Sequence, residues 1–265
     1  MEFYKYHGAG NDFIMIDNRS GDFDISDKEK IRLMCHRRFG IGADGVFLLE
    51  SSDTNDFKMV FANNDGSMGS MCGNGGRCIV HFAHEVLHII PNPKKITFEA
   101  IDGIHEAEIL RSDSNSGLIK LKMQDVNEIT ERNGLPFLFS GTTPHNIMYV
   151  EDLKNFPVVE EGKKIRNADA DPNGVNTNFV ELKDGIFNVR TYERGVEDET
   201  WACGTGATSV AIASHHLGKL TGNTAHIRMP GGDLTIEFQK SSEGKYQNVW
   251  LTGPAVCVAN GELTL

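Results

Sequence analysis

Two cysteines in this sequence sit in glycine-rich turns that echo one another. The first turn is Met71-Cys72-Gly73-Asn74-Gly75-Gly76-Arg77-Cys78, ahead of the apolar run Ile79-Val80-His81-Phe82-Ala83. The second is Trp201-Ala202-Cys203-Gly204-Thr205-Gly206-Ala207-Thr208, ahead of Val210-Ala211-Ile212-Ala213. The two cysteines are 203 − 72 = 131 positions apart, close to half of a 265-residue chain. Each copy reads as a turn feeding a helix N-terminus, with glycines that tolerate the turn's dihedrals and let a ligand approach the bare backbone. The first turn of a helix has unpaired N–H groups and about half a positive charge. A cysteine there should ionise below the ordinary thiol value of about 8.5, and the same amides can seat a carboxylate. The pair therefore predicts two thiols serving one anionic ligand.

The elements that must position these thiols also recur. Phe57–Phe61 alternates like a strand and delivers Asn63, Asn64, Asp65 and Gly66 ahead of Cys72. Ile186–Tyr192 does the same for Glu193 and Arg194 ahead of Cys203, and at the common offset Asn63 matches Arg194. Nearer the start, Phe3–Tyr6 and Phe13–Asp17 read as strands around the polar turn His7–Asp12. Its glycines lead into a strand, which argues against a dinucleotide fingerprint. Ser26-Asp27-Lys28-Glu29 reads as a capping box opening a helix that stops near Gly40. Val46–Leu49 reads as a buried strand, and Asp102-Gly103 joins Ile96–Ala100 to Ile104–Ile109 as a hairpin. The polar stretch Ser112–Gly117 reads as a linker. Strands resume at Leu118–Met123, Pro144 forces an extended bend, and the tail reads as strands at Asn248–Leu251 and Ala255–Val258. Hairpin signals outnumber strand-helix-strand crossovers, so we expect an α+β protein whose sheets are mainly antiparallel, with one central helix per half. The expected division is 1–112 and 113–253, with the tail 254–265 returning to the first lobe.

Composition narrows the chemistry. With 39% hydrophobic and 24% charged residues this is an ordinary globular composition. A net charge of −11 without a basic cluster argues against nucleic acid as a partner. No apolar stretch approaches about 18 residues and the start lacks a signal-peptide core, so we expect no membrane association and a cytoplasmic location. Five cysteines without a framework spacing fit a reducing compartment. Cys35, Cys257 and Cys78 read as small buried apolar residues.

In order along the chain stand His7-Gly8-Ala9-Gly10-Asn11-Asp12-Phe13, Asn63-Asn64-Asp65-Gly66-Ser67, Cys72-Gly73-Asn74-Gly75, Pro144-His145, Gly174-Val175-Asn176, Glu193-Arg194-Gly195 and Cys203-Gly204-Thr205-Gly206. This series resembles the diaminopimelate epimerases over almost the whole length. The resemblance implies two pseudo-symmetric α/β lobes with the active site in the cleft between them. It also implies interconversion of LL- and meso-diaminopimelate with no cofactor and no metal, on the route to lysine and the peptidoglycan cross-link, by a protein that forms a homodimer.

Residue by residue, the resemblance makes Cys72 and Cys203 the catalytic pair and His145 and Glu193 the groups that tune their pKa values. Its substrate ligands would be Asn11, Asn63, Gly73, Asn74, Asn176, Glu193, Arg194, Gly204 and Thr205. The residues support the same chemistry. Inverting an α-carbon needs a base on one face and an acid on the other, and the carbanion needs donors aimed at the substrate carboxylate, here the amides of Gly73, Asn74, Gly204 and Thr205. Arg194 suits a bidentate grip on the distal carboxylate. The chain departs from the family pattern at Thr143, where many members have an asparagine, and at Gly45, where some have a glutamine. Asn64 replaces a usual alanine. Two other readings stay open: a proline-type racemase, whose substrate has no distal amino acid, and a thiol-based metal or redox module, which would use closely spaced Cys/His pairs or Cys-x-x-Cys.

Overall fold

The computed structural model describes residues 1–168 and 174–264. The chain divides into two units, one of Met1–Leu121 with the segment from Gly253 onward, the other of Lys122–Thr252. The elements of the first are β1 (Glu2–Gly8), β2 (Asn11–Asp17), α1 (Lys28–Cys35), β3 (Gly45–Glu50), β4 (Phe57–Asn63), α2 (Gly73–His81), β5 (Ile96–Ala100), β6 (Gly103–Ser112) and β7 (Ser116–Lys122). Those of the second are β8 (Ile129–Arg132), β9 (Leu135–Ser140), β10 (Thr143–Tyr149), α3 (Val158–Ala168), β11 (Asn176–Lys183), β12 (Ile186–Glu193), β13 (Asp198–Thr200), α4 (Gly204–His216), β14 (Thr224–Met229) and β15 (Gly232–Lys240). A long β16 (Tyr246–Glu262) gives its first part to the second unit and its remainder to the first.

Phe13, Ile14, Met15 and Ile16 of β2 are all buried, because both faces of the first unit's sheet are covered. Ile14 and Ile16 join Ile31, Met34, Val46 and Leu48 in a cluster beneath the amphipathic α1. The opposite face meets α2, which packs on β1, β2, β3 and β6 and is buried from Asn74 through His81. A helix buried all round must lie within a sheet that wraps it. The order β1-β2-β3-β4-β5-β6-β7-β16 closes by pairing of β16 with β1, and only β2–β3 and β4–β5 are parallel. The second unit repeats the plan. Its order is β16-β15-β14-β12-β11-β10-β9-β8, parallel only at β10–β11 and β12–β14, around an α4 buried from Gly206 through Ser214. Mainly antiparallel sheets around one central helix each are what the sequence pattern predicts.

Several local expectations change. Helix α1 ends at Cys35, because His36 turns extended and Gly40 folds back so closely that a Cβ there would lie 1.9 Å from the Leu33 carbonyl oxygen. Its cap is Asp27, which accepts from the Lys30 N–H, while Ser26 bonds to Asp24. The stretch read as a linker is the turn of the β6–β7 hairpin, closed by the Asp113 N–H on the Ser116 carbonyl, and β7 continues the ring. The expected boundary at 112/113 thus moves to Leu121/Lys122. The two strands read in the tail are parts of the single β16.

Candidate active site

Both cysteines are the N-cap residues of their central helices, extended at φ −111° for Cys72 and φ −126° for Cys203. The glycines that follow serve a different purpose from the one expected. Among the described residues with positive φ none is Gly73, Gly75, Gly76, Gly204 or Gly206, so the turns do not use glycine's dihedral freedom. They use its missing side chain. A Cβ on Gly75 would lie 2.0 Å from Cζ of Phe47, and one on Gly206 would lie 2.4 Å from Oδ1 of Asn178. These helices are pressed so tightly against their sheets that only hydrogen fits.

In the first unit the Cys72 thiol donates to Oδ1 of Asn11 at 3.7 Å. That same oxygen accepts from Nδ2 of Asn74 at 3.2 Å, and Nδ2 of Asn11 donates to Asp44 at 2.7 Å. A carboxylate only accepts, so Asp44 fixes which end of Asn11 faces the sulfur. Asn63, at the end of β4, stands in its own turn and donates to Oγ of Ser67 at 3.0 Å. Gly45 pairs with Asn63 across β3 and β4, and a Cβ there would lie 2.4 Å from the Phe61 ring and 2.5 Å from the Ala62 carbonyl oxygen. Phe61 stacks on Phe47 at 4.2 Å between ring centroids, which excludes a glutamine at position 45.

In the second unit the polarity is reversed. The Cys203 sulfur accepts from the Gly206 N–H at 3.3 Å, lies 3.4 Å from Oγ1 of Thr205 and 4.0 Å from Nδ2 of Asn176. Behind Thr205 runs a buried polar chain. Nδ2 of Asn178 donates to the Asn146 carbonyl and to Nδ1 of His145, both at 3.1 Å, and its Oδ1 accepts from Thr191 at 2.9 Å. Nδ1 of His145 is therefore an acceptor, and its proton sits on Nε2, which donates to Oγ1 of Thr205 at 3.0 Å. Filled from that side, the Thr205 hydroxyl directs its own proton to Cys203. Complete burial pushes His145 down to about 3, helped by the nearby Arg194 charge, so the ring is neutral. Oδ1 of Asn176 accepts from the Arg194 N–H at 3.0 Å, and Glu193 accepts from Oγ1 of Thr200 at 2.9 Å. Donors around a sulfur favour the thiolate, whereas an oxygen acceptor favours the thiol.

The sequence motifs thus come together as two groups, Asn11 with Cys72 and Asn74, and Asn176 with Cys203, Thr205, His145 and Arg194. Asp44, Asn178 and Thr191 carry no local signal in the sequence, because the partners that bring them to the site are distant, and Arg77, which bonds within its own turn to Gly73 and Asn74, is tied to the site by the Pro254 carbonyl far along the chain. Cys35 and Cys78 are buried, and burial pushes the Cys35 thiol up to about 12, but Cys257 is half-buried on β16. Among the described residues no group of three or more His, Cys, Asp or Glu side chains is placed to hold a metal ion.

The sequence matches the family profile for diaminopimelate epimerase over residues 3–129 and 137–258. It is 48% identical to the diaminopimelate epimerase of Flavobacterium psychrophilum over 257 residues, covering 96% of this chain and 97% of that one. This chain belongs to the diaminopimelate epimerase family. The wider fold is shared more broadly. A phenazine biosynthesis protein of the PhzF family from Bacillus anthracis superposes with a TM-score of 0.75 at 16% identity, covering 100% of this chain and 99% of that one. A probable proline racemase from Agrobacterium radiobacter K84 superposes with a TM-score of 0.69 at 15% identity, over 100% of this chain and 93% of that one.

Proposed function

We propose that this protein interconverts LL- and meso-2,6-diaminopimelate by moving the α-proton between two thiols, with no cofactor. The observation that carries the reading is the opposite hydrogen-bond polarity of the two cysteines. Cys203, ringed by the Gly206 amide and the Thr205 hydroxyl, is the thiolate and acts as base. Cys72, which donates to Asn11, is the thiol and acts as acid. Reversal exchanges the roles. The first-turn amides of Gly73, Asn74, Gly204 and Thr205 stabilise the charge that develops on the substrate carboxylate as the α-carbon loses its proton. Neutral His145 contributes through Thr205 as a fixed donor, which keeps the Cys203 thiolate accessible without adding a full charge that would hold the proton away. Arg194 and Asn176 hold the distal amino-acid end, which must bind without reacting.

As part of the same reading the protein works in the cytoplasm as a homodimer and takes neither nucleic acid nor membrane as partner. Among the described residues no helix is long and apolar enough to cross a membrane. The test is direct: purified protein given LL-diaminopimelate should produce the meso isomer by chiral separation, and should leave L-proline unchanged. Racemisation of proline, or no conversion of either compound, would contradict the reading.

A further inference from the structure

Arg77 of α2 is fully buried, and among the described residues no carboxylate lies within ion-pair distance of it. Its guanidinium donates to neutral oxygens instead. Nε bonds to the Pro254 carbonyl at 3.2 Å, Nη1 to the Gly73 carbonyl at 3.2 Å and Nη2 to Oδ1 of Asn74 at 3.0 Å. Space for it is made by Gly8 of β1, where a Cβ would lie 2.8 Å from the Asn74 carbonyl oxygen and 3.2 Å from Nη2.

From Arg77 a line of hydrogen bonds runs through two amides to a carboxylate. Nδ2 of Asn74 donates to Oδ1 of Asn11 at 3.2 Å, and Nδ2 of Asn11 donates to Oδ2 of Asp44 at 2.7 Å. Asp44 is held in turn by the Asp12 N–H at 3.3 Å and by Nη2 of Arg37 at 2.8 Å. Arg37 and Lys5 also bind Asp12, so two cations balance two carboxylates at this end. A guanidinium can only donate and a carboxylate can only accept. The direction of both amides is thereby dictated from both ends. Turning Asn74 would set its N–H groups against Arg77, and turning Asn11 would set its oxygen against Asp44. The end of Asn11 that faces the Cys72 sulfur is its oxygen, an acceptor that opposes the pull of the buried Arg77 charge toward the thiolate.

We propose that Arg77 and Asp44 are positioning residues that fix the orientation of Asn11 and Asn74 and so keep Cys72 protonated. The inference rests on the reading of Cys72 as the resting acid, and its test reads the thiol itself, independently of turnover. In Asp44→Asn the end of the line no longer dictates direction, and Asn11 is free to turn its NH2 toward the sulfur. Alkylation of each cysteine by iodoacetamide is followed against pH by peptide mass spectrometry. In Asp44→Asn the Cys72 midpoint should fall by about one pH unit, the size of shift that a changed hydrogen-bond donor or nearby charge produces. The Cys203 midpoint should move less than half as far. Asp44→Glu, which restores an acceptor-only end, should return the Cys72 midpoint toward wild type. Arg77→Lys, which keeps a donor-only end, should stay close to wild type where it folds, and the half-buried loop position of Asp44 keeps the test open if it does not. An unchanged Cys72 midpoint in Asp44→Asn, or equal movement of both cysteines, would overturn the proposal. Absence of epimerase activity in the wild type would sink the functional reading and leave this measurement interpretable.

Discussion

Thr205→Val removes one hydroxyl and keeps the shape of the side chain, so it takes away the contact of Thr205 with the Cys203 sulfur at 3.4 Å together with the bond from His145. A hydrogen bond to a charged group contributes about 1.5–3 kcal/mol. Thr205 is half-exposed and the contact is long for a strong bond, so the lower end applies. At 1.36 kcal/mol per unit, the Cys203 midpoint should rise by about one pH unit. Well below the wild-type midpoint the thiolate fraction, and with it kcat, falls about ten-fold, and the loss shrinks as pH rises through the new midpoint. The same substitution strands the Nε2–H of buried His145, which otherwise donates to Oγ1 of Thr205, at a cost of about 1–3 kcal/mol. The melting temperature should therefore drop by several degrees. Thr205→Ser keeps the hydroxyl and should recover most of both losses. Per-cysteine alkylation against pH, with turnover measured on the same samples, decides the matter. A Cys203 midpoint unmoved in Thr205→Val while Thr205→Ser behaves like wild type would refute the chain from His145 through Thr205 to Cys203.

Three further outcomes are expected. His145 sits at about 3 when folded against an ordinary value near 6.5, so it takes up a proton less readily in the native state; its contribution is intact above 6.5 and is lost as pH falls toward 3, at up to about 1.4 kcal/mol per unit. Urea unfolding of wild type and His145→Gln at pH 7 and 4.5 should show the smaller acid loss in the variant, and equal losses would contradict a neutral buried ring. Gly75→Ala drives a methyl into Phe47 at 2.0 Å and should cost about 1–3 kcal/mol in a thermal melt, whereas an unchanged melt would mean that α2 is not pinned to that ring. Arg194→Lys should raise KM for diaminopimelate at least about ten-fold, since an ammonium cannot reproduce a planar two-point contact; unchanged kinetics would place Arg194 outside the substrate site.

The parts of this protein that the sequence displays are those written locally. A cysteine ahead of Gly-x-Gly and an apolar run announces a helix N-terminus, and both cysteines cap helices. Phe57–Phe61 and Ile186–Tyr192 alternate because one face meets a helix, and both are strands. Helix α3 carried no readable stripe, since only Val158 and Gly162 among its residues are buried. The reason for Gly75 lies 28 positions away in Phe47, a contact that no motif encodes. The polar chain behind Cys203 joins His145 to Thr205 across 60 positions and to Asn178 across 33. Its members stand on different elements of one unit, so their meeting is a product of the fold and not of spacing.

Proton bookkeeping during turnover tests the two-thiol account most directly. Protein and LL-diaminopimelate are incubated in deuterated water, and the α-proton signals of substrate and product are followed by NMR through the first few per cent of conversion. If one thiol removes the proton and the other, already exchanged with solvent, delivers to the opposite face, the new meso isomer carries deuterium at the inverted centre while the remaining LL substrate stays protiated. Product that retains the substrate's own proton, or substrate that gains deuterium as fast as product forms, would mean that one group works both faces and that the assignment of Cys203 as base and Cys72 as acid is wrong.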